Sequence, residues 1–165
     1  MTGDLASLLR KRYISLVPVD VVRRNAGKRF PSRKLKKIAN KILELLEQDH
    51  AELSLALVCN VEIRKLNARF RNQDYATDVL SFPAENKLPG EVRLLGDVVI
   101  SVEKAQEQAK ERRQTVDEEM VTLLIHGVVH LLGYDHERSA KDARIMTQLE
   151  KRIYRGLCEQ GILQV

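Results

Sequence analysis

Three of the four histidines in this 165-residue chain fall within eleven residues, in the segment HGVVHLLGYDH that begins at His126. His126 and His130 are four residues apart in an apolar run, which predicts that both lie on one face of a helix. Imidazoles at this spacing can both reach one metal ion. Gly133 predicts the end of that helix and a return of the chain, which brings His136 back as a third ligand.

Three neutral imidazoles that leave a fourth position open are typical of a catalytic zinc ion, because structural zinc normally has four protein ligands. We therefore expect one zinc ion per chain, bound by His126, His130 and His136, with a bound water acidic enough to hydrolyse a bond in another molecule. A lone histidine on an apolar helix is more often a core residue. Burying all three without a common partner would leave several polar groups unpaired. Copper, nickel or iron would also suit three imidazoles.

The same histidine spacing occurs in metzincin peptidases. Those enzymes carry a glutamate general base directly after the first histidine, whereas this chain has Gly127 there. Glycine offers no proton acceptor, but it lets another backbone or a substrate come close to the metal. The base must then be the metal-bound hydroxide or a carboxylate from elsewhere, and the candidates are Asp78, Asp97 and Asp135.

The elements that must position these residues follow from the apolar periodicity. Strands are predicted at residues 13–19, 53–59, 79–82 and 95–101. Helices are predicted with caps at Ser32, Asn60, Ser101, Thr115 and Ser139. The caps at Thr115 and Ser139 belong to predicted capping boxes. The helix that starts at Ser32 is predicted to end near Asp49, and the helix that starts at Ser139 near Cys158. The sequence therefore predicts an α+β fold, with a mixed sheet of about four strands and four to five helices. The histidine-bearing helix is expected to be central and buried.

Composition indicates one globular domain over residues 1–165, with residues 1–12 as a loose extension. The chain shows no signal-peptide pattern and no apolar run long enough to span a bilayer, so we expect a cytoplasmic protein without a membrane partner. Cys59 and Cys158 lack C-x-x-C spacing and are interpreted as reduced core thiols. His50, close to acidic residues at a helix end, is expected on the surface.

Positive charge is concentrated at the start of the chain. Residues 1–41 hold twelve lysines and arginines against two aspartates, a local net charge of +10. Because the net charge of the whole chain is +5, residues 42–165 carry a net charge of −5. A basic segment of this density attracts phosphates, although a solvated face is the commoner role of such a run. The low aromatic content of 4% argues against extended base stacking.

Three segments of the chain resemble the YbeY family of bacterial rRNA-maturation endoribonucleases. HGVVHLLGYDH is similar to the metal-binding signature of that family, including the glycine after the first histidine. LNARFRNQDYATDVLSFP at residues 66–83 and LLGDVVIS at residues 94–101 are similar to its second signature and to the strand that follows. The chain departs from the family pattern at Phe70, Ala76 and Val129, where Tyr, Pro and Leu are more usual.

The resemblance implies a zinc-dependent, single-strand-specific endoribonuclease that acts in rRNA 3′-end maturation and ribosome quality control, with single-stranded RNA, rRNA and the ribosome as partners. It also implies a catalytic role for Arg71, since a guanidinium can hold two phosphate oxygens. Asp78, in TDVLSF, either caps a turn or orients a ligand histidine, and we favour the turn. Asp97 and Asp135 are further candidates to orient an imidazole.

Two other functions remain open from the sequence. One is a metallohydrolase of peptides or amides, against which the missing glutamate after His126 argues. The other is a ribosome assembly factor whose metal is mainly structural. The oligomeric state is not predicted.

Overall fold

A computed structural model describes residues 19–24, 30–84 and 93–163 of the chain. The elements are strands β1 (Val19–Arg24), β2 (Ala51–Val58), β3 (Val79–Pro83) and β4 (Arg93–Ser101), and helices α1 (Ser32–Leu45), α2 (Asn60–Arg71), α3 (Val102–Glu111), α4 (Val116–Leu131) and α5 (Ala140–Glu159). The strands form one sheet in the order β1-β2-β4-β3. β1, β2 and β4 are parallel and β3 is antiparallel to β4, so the predicted mixed sheet and α+β fold are confirmed.

The sheet is covered by helices on both faces, because alternate residues of its strands point to opposite sides. On β2, Leu55 and Leu57 join the larger core with α1, α4 and α5, whereas Ala56 and Val58 join a smaller core under α2. The two central strands β2 and β4 are therefore buried on both faces, which explains why they are nearly continuous apolar runs.

Helix α4, which carries His126 and His130, lies in the larger core as predicted. Ten of its sixteen residues are buried. Its start is fixed by a complete capping box, in which the Thr115 hydroxyl accepts from the Glu118 N–H and the Glu118 carboxylate accepts from the Thr115 N–H. Buried packing and a defined start together fix the axial position of this helix, and hence of its two histidines.

Of the other predicted caps, Ser101 and Ser139 are confirmed, since both side chains accept a backbone N–H of the following helix. The capping box predicted at Ser139 was wrong, because the Asp142 carboxylate accepts from the Ser139 hydroxyl rather than from its N–H. Ser32 and Asn60 were wrong as caps: each is the first residue of its helix, and neither preceding residue makes a side-chain cap. Tertiary partners hold the two side chains instead. Ser32 accepts from Arg23 Nε at 2.9 Å, and Asn60 accepts from the Ser101 hydroxyl at 2.7 Å.

Two predicted boundaries also differ from the structure. Helix α1 ends at Leu45 rather than near Asp49, because the chain leaves the helix at Glu47, which has a φ of 56°. The first strand was predicted at residues 13–19 with a basic loop from residue 23. In the structure β1 runs to Arg24, because Arg23 and Arg24 pair with β2 in parallel register. Residues 13–18 and the predicted extension 1–12 lie outside the described residues.

Three smaller predictions have outcomes in the structure. His50 is exposed, as expected. Cys59 and Cys158 are free thiols, and both are half-buried. Cys158 packs against the larger core, as expected, whereas Cys59 belongs to neither core cluster. Within the part of the chain that is described, no helix is long and apolar enough to cross a bilayer.

Candidate metal centre

The three imidazoles predicted as ligands converge in space. The ring centroids of His126 and His130 are 4.6 Å apart, and each lies 5.2 Å from the ring centroid of His136. One potential ligand atom from each ring lies within 4.8 Å of the others, so the cluster could hold a metal ion. We refer to His126, His130 and His136 as the histidine cluster.

The turn after α4 brings the third imidazole to the other two. Gly133 adopts a φ of 93°, a conformation that favours glycine, and its N–H donates to the His130 carbonyl at 2.9 Å. Beyond it, the Asp135 carboxylate accepts from the Glu137 N–H at 2.9 Å, which closes a tight turn around His136. This backbone hydrogen bond, helped by nearby Arg138, holds the pKa of Asp135 below its ordinary value. Asp135 therefore shapes the turn that presents His136.

A carboxylate that the sequence did not single out contacts the first histidine. Glu150 Oε1 on α5 lies 2.7 Å from Nδ1 of His126. When the carboxylate is ionised it can only accept, so this hydrogen bond requires the tautomer with the proton on Nδ1, which leaves the lone pair on Nε2. Glu150 shares the face of α5 that buries Met146 and Ile153, at helical spacing from both. An acidic residue within an apolar stripe is the signal that could have identified it.

The electrostatics of the cluster favour the neutral form that metal ligation requires. The pKa of His130 is lowered from the ordinary value, first by burial and then by the proximity of His126 and His136. A hydrogen bond with the Tyr134 backbone opposes this shift without reversing it. His130 therefore stays neutral, with a lone pair available, to lower pH than a solvated histidine.

The histidine cluster lines an open cleft of about 520 Å³. Two chain segments form its walls, one within residues 67–83 and the other within residues 126–138. Arg71, the last residue of α2, is exposed and lines the first wall. The structure thus brings Arg71 into the same cleft as the three imidazoles, although it precedes the first of them by 55 positions in the chain.

The candidate carboxylates have different surroundings. Asp78 lines the cleft, and its carboxylate accepts from the N–H of the next residue, Val79, at 2.8 Å and from Gln108 Nε2 at 2.9 Å. The interpretation of Asp78 as a turn cap stays a prediction. Asp97 is buried on β4 and is not among the residues that line the cleft. Within the described ranges, the carboxylate that orients an imidazole is Glu150.

Gly127 allows a close approach, but it is the sheet rather than a substrate that approaches. A Cβ atom at this position would lie 2.6 Å from Cγ1 of Val98 on β4. The Gly127 carbonyl accepts from the buried Ser81 hydroxyl of β3 at 2.9 Å. The residue next to His126 therefore fixes the distance between helix α4 and the sheet.

The sequence that forms this site matches a known family of proteins. A family model described as "Endoribonuclease YbeY" matches residues 21–157, which include the histidine cluster and Arg71. The chain belongs to the YbeY family. A relative named endoribonuclease YbeY from Sulfurihydrogenibium sp. is 43% identical over 145 residues, covering 87% of this chain and 93% of the relative. Another YbeY, from Aquifex aeolicus, is 42% identical over 73% of this chain and 79% of its own length.

The fold agrees with that assignment. The solution structure of TM1509 from Thermotoga maritima superposes on this chain with a TM-score of 0.59 and 28% identity, covering 86% of this chain and 91% of the other. The family match begins within β1 and includes strands β2 to β4 and helix α4.

The described part of the basic N-terminal region lies away from the cleft. Lys34 pairs with Asp117, and Lys36 Nζ lies 3.5 Å from Asp20 Oδ1. The residues that line the cleft include none from β1 or α1 within the described ranges. The cationic side chains in the cleft walls are instead Arg71 and Arg138. Contact between the basic region and RNA stays a prediction.

Proposed function

We propose that this protein is a zinc-dependent endoribonuclease that hydrolyses phosphodiester bonds in single-stranded RNA, with the histidine cluster as zinc site and Arg71 as catalytic residue. The observation that carries the proposal is the presence of three convergent imidazoles and a guanidinium in one open cleft. Its membership of the YbeY family supports RNA as the substrate.

The donor set fits zinc. Three imidazole nitrogens suit a borderline-soft divalent cation, and the hydrogen bond from His126 to Glu150 leaves Nε2 free for coordination. In the part of the chain that is described, the cluster comprises these three side chains, and it faces an open cleft. When bound, zinc supplies Lewis acidity that stabilises developing negative charge and makes a water molecule more acidic.

Arg71 supplies a second, fixed positive charge. Arg71 is the last residue of α2. The next residue, Asn72, adopts the left-handed conformation, and its N–H donates to the Asn67 carbonyl, which ends the helix. Hydrolysis of a phosphodiester builds charge on the phosphate oxygens in the transition state, and a guanidinium can donate to two of them at once. A planar, always charged donor is better suited to this task than a lysine.

The same cleft argues against peptide hydrolysis. The residue after His126 is a glycine buried against the sheet, so α4 offers no carboxylate at the position where the related peptidases place their base. The Asp78 carboxylate is engaged by Val79 and Gln108. The arrangement instead combines a metal site with an arginine, which suits a substrate that is already anionic.

Elemental analysis of purified protein combined with a single-stranded RNA cleavage assay tests the proposal. Wild type should contain one zinc ion per chain and cleave RNA, and chelation or His130→Ala should remove both metal and activity. His50→Ala is the matched control, because His50 is exposed and outside the cluster. Cleavage that survives chelation and His126→Ala would contradict the proposal and point to a contaminating nuclease. Rapid cleavage of unstructured peptides without turnover of RNA would favour the peptidase alternative.

We propose further that the cellular role is rRNA 3′-end maturation and ribosome quality control in the cytoplasm. The test is complementation of cells that lack the protein, read as the length of rRNA 3′ ends. Arg71→Ala should fold and bind metal but leave precursors unprocessed. Full restoration of rRNA processing by this variant would favour an assembly factor with a structural metal. A large loss of thermal stability on chelation, without any loss of processing, would favour the same alternative.

A further inference from the structure

Two exposed tyrosine rings lie at the cleft. Within the described ranges, three phenylalanine and tyrosine rings are exposed, namely Phe70 (44%), Tyr75 (55%) and Tyr134 (38%). Phe70 packs edge-on against Phe82, with ring centroids 5.2 Å apart. The two tyrosines both line the cleft that holds the histidine cluster, one on each of its two walls. Aromatic surface left in solvent on both sides of a reaction centre indicates a ligand with flat apolar faces.

Both tyrosines project from backbone that is held in place. The side chain of Asn67, which is 1% exposed, donates through Nδ2 to the Tyr75 carbonyl at 2.9 Å. Tyr134 follows the left-handed Gly133, and its N–H donates to the Val129 carbonyl at 3.4 Å. The backbone therefore needs no further ordering when a ligand binds, and a tyrosine ring has only two side-chain torsions to fix.

We propose that Tyr75 and Tyr134 are stacking platforms for two unpaired nucleobases of the RNA strand that crosses the histidine cluster. This inference rests on the proposed endoribonuclease function and names the form of substrate that the cleft accepts. Every base has a π-face, so stacking on tyrosine holds the strand without demanding a particular sequence. Bases inside a duplex are already stacked and paired, so they cannot reach the two rings, and the enzyme selects single strands.

Guanidinium groups accompany both platforms. Arg71 lies on the same wall as Tyr75. On the other side, Tyr134 also lines a second cavity of about 500 Å³, to which Arg93 and Arg152 contribute. Arg93 is held by its hydrogen bond to Gln48 Oε1 at 2.8 Å. A strand whose base stacks on Tyr134 could continue into this cavity, whose lining holds these two cations and one carboxylate, Glu47.

The test uses the full-length, metal-loaded enzyme and a short single-stranded RNA with a defined cleavage site. Tyr75→Ala and Tyr134→Ala should each lower kcat/KM about tenfold, mainly through KM, whereas Tyr→Phe should retain activity because the stacking face remains. Phe70→Ala is the control for loss of an exposed ring outside the cleft. Cleavage of the same site within a duplex should be slow and unchanged in the tyrosine variants.

An abasic scan of the RNA identifies the stacked positions. In wild type, one abasic site on each side of the scissile bond should lower kcat/KM about tenfold. In Tyr75→Ala, one of these two substitutions should have no further effect, and in Tyr134→Ala the other should have none. This coupling between a protein ring and an RNA base would not follow from a purely structural role.

The outcomes separate the two proposals. If wild type cleaves single-stranded RNA in a metal-dependent way, but the losses in kcat/KM caused by the tyrosine and abasic substitutions are simply additive, the stacking proposal is overturned and the proposed function stands. The stacking proposal is likewise overturned if well-folded Tyr→Ala variants cleave RNA at the wild-type rate. If metal-loaded wild type cleaves no RNA, both proposals fail.

Discussion

Glu150 Oε1 lies 2.7 Å from Nδ1 of His126, although the two residues belong to different helices. A carboxylate behind a ligand imidazole fixes the tautomer and the ring orientation, and it increases the basicity of the coordinating nitrogen. In this protein the contact also links helix α5 to the metal-site helix α4. Metal affinity and the packing of the last helix are therefore expected to depend on each other.

The first prediction concerns this contact. Glu150→Ala should weaken zinc binding by roughly 10- to 100-fold, because the imidazole loses its orienting partner. Glu150→Gln should lose less, since its amide oxygen still accepts from Nδ1. Competition with a calibrated chelator measures both affinities without reference to activity. Glu159→Ala, an exposed residue at the end of the same helix, is the control. Unchanged affinity in Glu150→Ala would mean that the observed contact does not tune the site.

The second prediction concerns Arg71. Arg71→Ala should lower kcat by about 10²- to 10³-fold, as expected when one preorganised donor to a transition-state oxyanion is removed. Zinc content should remain at the wild-type level, because Arg71 is not a ligand. Arg71→Lys should recover only part of the rate, since an ammonium cannot hold two phosphate oxygens in the same fork. Arg69→Ala is the matched control, because Arg69 lies on the same helix but does not line the cleft. Equal losses in both arginine variants would contradict a specific role.

The third prediction concerns pH. Burial lowers the pKa of His130 in the folded, metal-free protein below its ordinary value of about 6.5. The unfolded chain therefore takes up the proton first as pH falls. The contribution of neutral His130 to the free energy of unfolding is therefore fully present above about pH 6.5, and it is lost as pH falls toward the pKa of the folded state. Urea unfolding of chelator-treated protein across this range measures the effect.

The variant His130→Gln should flatten this pH dependence, and His50→Gln should leave it unchanged because His50 lies outside the cluster. Bound metal should suppress the dependence until protons displace it, since a protonated imidazole cannot coordinate. A metal-free protein whose stability rises as pH falls from about 7 to about 5 would contradict the assigned sign.

The fourth prediction concerns Gly127. Gly127→Ala should destabilise the fold by about 1–3 kcal/mol, because the added methyl group would lie 2.6 Å from Val98 Cγ1 and overpack the helix against the sheet. Gly156→Ala is the comparison, since the nearest atoms there, 3.1 Å away, are flexible ends of Leu45. Thermal unfolding of both variants measures the difference. A Gly127→Ala protein at least as stable as Gly156→Ala would show that the spacing between α4 and the sheet is not constrained.

The sequence by itself determined the parts of the site that depend on local geometry. The interval between His126 and His130 matches one helical turn, and Gly133 supplies a helix end that only residues tolerant of positive φ readily form. The capping box at Thr115 set the start of the same helix. All of these interactions join residues within a few positions of one another, so the pattern of residue types was sufficient to predict them.

Only the tertiary structure decided which distant residues lie beside the histidine cluster. Glu150 reaches His126 because α5 packs on α4, and Arg71 and Tyr75 reach the cleft because β3 pairs with β4 beside that helix. A long-range contact also replaced the predicted helix cap at Asn60, because the Asn60 side chain accepts a hydrogen bond from the Ser101 hydroxyl instead of capping its own helix. Residue type and spacing specify hydrogen bonds within a turn, whereas contacts between elements depend on which surfaces bury the most apolar area together.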